Sequence, residues 1–107
     1  MKIYQSGPMT GIYGQNKKAF RTAERALWDA GFVPVSPVRV VRKFTTWREA
    51  MKLDIKAMVD CDAVATLRGW EDSRGARIEV NLALELGLTV GTVEAWCKCA
   101  EQAAENG

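Results

Sequence analysis

Apolar positions along the chain change their spacing from segment to segment, and each spacing predicts an element. Met1–Ser6 (MKIYQS) reads as a short strand, and Gly7-Pro8-Met9-Thr10-Gly11 as the turn after it. Ala19, Ala23, Leu27 and Ala30 then recur at i, i+4, i+8 and i+11 with Phe20 beside them. That is one face of a helix, which Gly31 is placed to end. Phe32–Val35 is a second short strand, weakened by Pro34, which has no N–H for a sheet ladder. Residues 36–45 read as a loop, or as a short extended piece at Val38, Val40 and Val41. Thr46-Trp47-Arg48-Glu49 fits a capping box, a hydroxyl cap with a glutamate three residues on, and its helix runs to about Val59. Ala63–Leu67 is an almost unbroken apolar run, as in a strand buried on both faces. Beyond a turn at Gly69 and Trp70, Asp72 or Ser73 caps a helix that ends at Leu86, with Gly87 after it. Thr89–Val93 and Glu94–Glu105 close the series as strand and helix. The alternation predicts an α/β fold: a small doubly wound, Rossmann- or flavodoxin-like parallel sheet of four to five strands flanked by helices.

Composition narrows the chemistry more than the fold. The 107 residues are 48% hydrophobic and 26% charged, which suits one globular domain over residues 1–107. There is no histidine, so Ser-His-Asp and Cys-His catalysis and HExxH-type zinc sites are excluded. Proton transfer and covalent catalysis fall to carboxylates, tyrosine, lysine, serine or cysteine. Cys61, Cys97 and Cys99 form no CxxC pair and no even disulfide framework. With no secretory signal and no apolar run near 18 residues, the expected setting is reduced and cytoplasmic, without a membrane. The Cys97-x-Cys99 pair could be half a metal site, but no other soft ligand lies nearby in sequence, so no metal and no cofactor is expected. The net charge of +2 hides an asymmetry: residues 1–50 hold nine Lys/Arg and three Asp/Glu, residues 51–107 six and ten. Two solvated faces of unlike charge are the simpler reading. Duplex nucleic acid is not the expected partner, whereas an anionic small molecule is compatible.

In an open parallel sheet, ligands bind outside the carboxyl ends of the strands. The turn 7–11, the turn 68–75 and the start of the helix after Ser73 should meet there. Two acids are hard to explain as ordinary surface. Asp54 lies three residues after Met51 and four before Met58, on the apolar stripe of its helix. Glu79 lies three after Ala76 and four before Ala83, again beside a packed face. A carboxylate so placed must be paired, neutralised or open to a cleft, because burying an isolated charge is costly. Asp54 is then either an ion-pair partner of Lys or Arg or a functional acid. Glu79 is either a rim residue near a helix N-terminus or a functional carboxylate.

Taken together and in order, several segments point to a family: Tyr4, the Ser6–Gly11 turn, Asp54, Asp60-Cys61-Asp62-Ala63-Val64, and Gly69-Trp70-Glu71-Asp72-Ser73-Arg74-Gly75-Ala76-Arg77-Ile78-Glu79. Over residues 1–93 the chain resembles the nucleoside 2-deoxyribosyltransferase-like superfamily. Within it, the chain is most similar to a small branch found in phages and bacteria and related to 2'-deoxynucleoside 5'-phosphate N-hydrolases. The resemblance implies that Glu79 is the nucleophile on the sugar C1', six positions after Ser73 and four after Gly75. It implies that Tyr4 orients Glu79, and that Asp54 helps protonate the departing base. Serine at position 73, rather than aspartate, implies a nucleoside 5'-monophosphate, with the amides of turn 7–11 and Gly75 as further donors. Gly7, Met9, Gly11, Trp70, Ser73 and Gly75 are thus the expected substrate-binding residues, Trp70 either flanking the base or sugar or packing under its loop.

The chemistry is coherent. Cleaving an N-glycosidic bond passes through an oxocarbenium-like state, which one carboxylate attacks while an acid helps the base leave. Two features depart from the family pattern. The phosphate-binding turn has Met9 and Thr10 where the nucleotide hydrolases carry an arginine, leaving Lys17, Lys18, Arg74 or Arg77 as substitutes. Arg39, Arg42 and Lys43 form a basic loop that the pattern does not require. The resulting expectation is an N-glycosidase or deoxyribosyltransferase acting on a nucleoside or nucleotide. The alternative is a non-catalytic module that binds a nucleotide or senses a nucleotide signal in the same pocket, and a purely structural protein is the third reading. By resemblance, the assembly is a homodimer or higher homo-oligomer, with the C-terminal helix and its Trp96 as a contact surface.

Overall fold

The computed structural model describes residues 1–9, 16–39 and 46–106. Along the chain it places β1 (Lys2–Ser6), α1 (Lys17–Asp29), β2 (Val33–Val35), a 3-10 turn at Pro37–Arg39, α2 (Trp47–Val59), β3 (Ala63–Thr66), a second 3-10 turn at Trp70–Asp72, α3 (Arg74–Glu85), β4 (Thr89–Thr92) and α4 (Val93–Asn106). The four strands form one parallel sheet in the order β2-β1-β3-β4. The α/β class and the parallel sheet match the alternation in the sequence.

Strand register decides which side chains meet which helices. Ile3 pairs with Ala63 and Tyr4 with Val64, so alternate residues of the central strands face opposite sides. Ile3, Ala63 and Ala65 pack with Phe20, Ala23 and Leu27 of α1 and Val93 of α4. Tyr4 and Val64 pack on the other side with Met58 of α2 and Ala83 of α3. Burial of Phe20 and Leu27 alone stabilises by about 1.5–3 kcal/mol each. Trp96 joins the first layer. Its Nε1 donates to the Val64 carbonyl at 2.9 Å and its ring meets Phe32 edge-on at 5.8 Å, so this indole is engaged within the fold.

The caps explain where two helices begin. Thr46 Oγ1 accepts from the Glu49 amide while the Glu49 carboxylate accepts from the Thr46 amide, the reciprocal box expected at α2. Ser73, not Asp72, caps α3, its Oγ accepting from the Ala76 amide. Asp60 caps α2 at its C-terminal end, and Asp62 accepts from the Lys2 amide.

Three local features differ from the periodicity. Ala19 is exposed and the α1 stripe runs through Phe20, Ala23 and Leu27, because the larger ring takes the place over the sheet. Val38 lies in a 3-10 turn rather than an extended piece, while Val40 and Val41 fall outside the described residues. Val93 opens α4 instead of closing β4. No helix among the described residues is long and apolar enough to cross a membrane.

Candidate active site

The chain leaves β1 toward one edge of the sheet and β3 toward the other, so the crevice of a doubly wound sheet lies beyond these two strands. The turn after β1 reaches it through Gly7. A Cβ at this position would stand 2.8 Å from Leu67 Cβ, so only glycine lets the turn lie against the end of β3. Gly75 is less tightly placed, a Cβ there meeting the flexible Met51 side chain at Sδ, 3.1 Å away. That approach draws the first turn of α3 toward α2.

A small cleft opens between these pieces. Gly7 and Met9 line it from the β1 turn, and Trp47, Ala50, Met51 and Asp54 from α2. Those four α2 positions are spaced as one helical face, so the capped start of α2 sets all of them together. Ser73, Gly75, Ala76 and Glu79 complete it from α3. The enclosed space is about 40 Å³, room for a few water molecules, against about 300–1,000 Å³ for a typical ligand pocket. Among the described residues, then, the cleft admits the reacting end of a ligand and not a whole nucleoside.

Glu79 sits at its inner wall with 4% of its surface exposed. Tyr4 Oη donates to Glu79 Oε2 at 2.6 Å, and Ser6 Oγ donates to Oε1 at 2.8 Å. A carboxylate is acceptor-only, and here each oxygen meets a hydroxyl donor. These bonds hold the group in one orientation facing the cleft. Asp54 lines the same cleft at 5% exposure, so both acids that the spacing placed on packed faces are buried and share one cavity.

The other expected site residues divide. Gly7, Met9, Ser73 and Gly75 line the cleft, and Tyr4 supports it from behind through Glu79. Trp70 is half-buried in the 3-10 turn and is not among the lining residues, whereas Trp47 is. Gly11 lies outside the described residues, as do Arg42 and Lys43. Of the substitute cations, Arg74 stacks its guanidinium over the Trp47 ring, 4.5 Å from the centroid. Arg77 donates to the Glu71 carbonyl, and Lys17 and Lys18 are exposed on α1, across the sheet. No group of three His, Cys, Asp or Glu among the described residues could hold a metal.

Sequence reasoning passed over Ser6, Trp47 and Met51 as individual site residues. Ser6 had a usable signal: it is two positions after Tyr4 on the same strand, so both point to the same face of the sheet. Trp47 had a weaker one, seven residues before Asp54 on one helix face.

A search of solved structures finds the same architecture in the 2-deoxyribosyltransferase of the psychrotolerant bacterium Bacillus psychrosaccharolyticus. The match has a TM-score of 0.62 at 24% identity and covers 84% of this chain and 69% of that one. The likeness is one of fold, a parallel α/β sheet flanked by helices. No curated protein matches the sequence. One family model spans residues 1–92, from the first strand to the end of the last and across the whole cleft, so the chain belongs to the family described as a domain of unknown function, DUF4406.

Proposed function

We propose that this protein breaks the N-glycosidic bond of a nucleoside or nucleoside 5'-monophosphate, handing the sugar to water or to a second base. One observation carries the reading: the buried Glu79 carboxylate, held by Tyr4 and Ser6, faces a cleft that it shares with Asp54. In this scheme a Glu79 oxygen attacks C1' as the bond from C1' to the base nitrogen breaks. The electron pair of that bond goes to the base, and Asp54 in its acid form supplies the proton. The product is a glycosyl ester on Glu79. Water or a second base then attacks C1', giving its O–H or N–H proton to Asp54, and frees the carboxylate. The two hydroxyls keep the nucleophile aimed, so little reorganisation is needed in the transition state.

In this reading a 5'-phosphate lies at the start of α3, outside the small cleft that takes the reacting end of the sugar. Ser73 Oγ accepts from the Ala76 amide and keeps its own proton to donate, and the first amides of α3 favour an anion. Arg74, stacked on Trp47 at the cleft wall, adds the positive charge that the β1 turn lacks. The fold of a deoxyribosyltransferase is consistent with this chemistry. Chromatography of free base from a panel of nucleosides and 5'-monophosphates tests it. Wild type should release base, Glu79→Ala should lose at least about 10³-fold, and Asp54→Asn about 10²–10⁴-fold. Release that survives Glu79→Ala refutes the mechanism. Tight nucleotide binding with no release from any substrate makes the protein a binding module instead.

A further inference from the structure

The outer side of α1 concentrates the positive half of the chain around an exposed aromatic ring. Lys17, Arg21, Arg25 and Trp28 follow at i, i+4, i+8 and i+11, which aligns them along one stripe. The 3-10 turn after β2 brings Arg39 across to it. Glu24 fixes Arg39 there, its carboxylate accepting from both Nε and Nη2 of the guanidinium. Two adjoining hollows result. One of about 550 Å³ is walled by Arg21, Glu24, Arg25, Trp28, Pro34 and Arg39. The other, about 210 Å³, lies among Lys17, Arg21, Val38 and Arg39, so Arg21 and Arg39 border both. Trp28 is 61% exposed, an unusual position for a ring this large. Two carboxylates share this face with the four cations and leave it a net charge of +2. Glu24 is occupied by Arg39, and Asp29 meets Arg25 in a solvent-exposed pair that phosphate can displace.

We propose that this face binds single-stranded nucleic acid, with backbone phosphates on Lys17, Arg21 and Arg25 and one base stacked on Trp28. Cations tracking a backbone beside an aromatic platform are the usual means of holding an unpaired strand. A duplex offers the phosphates but no open base face, and an acidic protein offers charge without a ring to stack. Both would leave the indole unused. The surface lies on the side of the sheet opposite α2 and α3, so it does not depend on the cleft or on its proposed chemistry.

Fluorescence anisotropy of a labelled oligothymidylate of about 12 nucleotides, titrated with the purified full chain in about 50 mM salt, tests this. Trp28→Ala should weaken binding about 5- to 150-fold, the usual worth of one stacked base, while Trp28→Phe keeps most of the affinity. Arg21→Ala with Arg25→Ala should flatten the dependence of log affinity on log salt by about 1.4, or 0.7 for each phosphate no longer neutralised. Lys56→Ala, at an exposed position of α2, should bind as wild type. Absence of binding overturns the proposal. So does binding unaffected by Trp28→Ala, or a duplex or polyphosphate bound as tightly as the single strand, which would mark a general polyanion surface.

Discussion

Tyr4→Phe removes a single oxygen from a wholly buried ring and withdraws its 2.6 Å hydrogen bond from Glu79 Oε2. A hydrogen bond to a charged group contributes about 1.5–3 kcal/mol, against about 0.5–1.5 for a neutral pair. At 4% exposure Glu79 has little water to replace the missing donor, so the loss should be about 2–3 kcal/mol. That corresponds to a fall in the thermal midpoint of about 10 °C or more for a domain of this size. The origin of the loss can be isolated by repeating the substitution in Glu79→Gln, where the partner is neutral and the cost should drop to about 1 kcal/mol. Urea unfolding of wild type, both single variants and the double variant, followed by circular dichroism, closes the cycle, and the coupling should be about 1–2 kcal/mol. Glu79→Gln alone should be neutral or stabilising, because a buried carboxylate costs more to desolvate than an amide. Equal losses for Tyr4→Phe in the two backgrounds would refute the reasoning, since the hydroxyl would then not be serving the carboxylate charge.

Gly7→Ala should cost about 1–3 kcal/mol by forcing its new Cβ against Leu67, read as a lower urea midpoint with unchanged slope. A wild-type midpoint would show that the turn relaxes freely. Thr46→Ala removes the cap of the helix that carries Asp54 and should cost about 1 kcal/mol in the same measurement. Thiol modification of the native protein should begin at exposed Cys99. Cys61 should resist until urea unfolds the chain, because burial pushes its thiol pKa up and the thiolate is the reactive form. Modification of Cys61 as fast as Cys99 in the folded state would contradict this.

The spacing of apolar residues was enough for the element order and the parallel α/β class, because helix and strand periods are local properties of a chain. It also singled out Asp54 and Glu79, since an acid on an apolar stripe conflicts with its neighbours wherever the helix docks. The capping box at Thr46 and Glu49 was readable for the same reason, as both partners lie within one turn. Only the tertiary structure decided what surrounds those acids. Tyr4 and Ser6 reach Glu79 across 75 and 73 residues of chain, through a register that places β1 beside β3 and turns both hydroxyls toward α3. The replacement of Trp70 by Trp47 at the cleft wall came from how α2 lies against α3, with Gly75 close to Met51, which no local pattern encodes. The basic face was likewise half legible: Arg21, Arg25 and Trp28 align by helical period, but Arg39 joins them only because the fold returns the chain past α1. What the sequence determined was which residues could not be ordinary surface. What the fold decided was which of them meet, because contacts between distant segments depend on packing geometry and not on spacing.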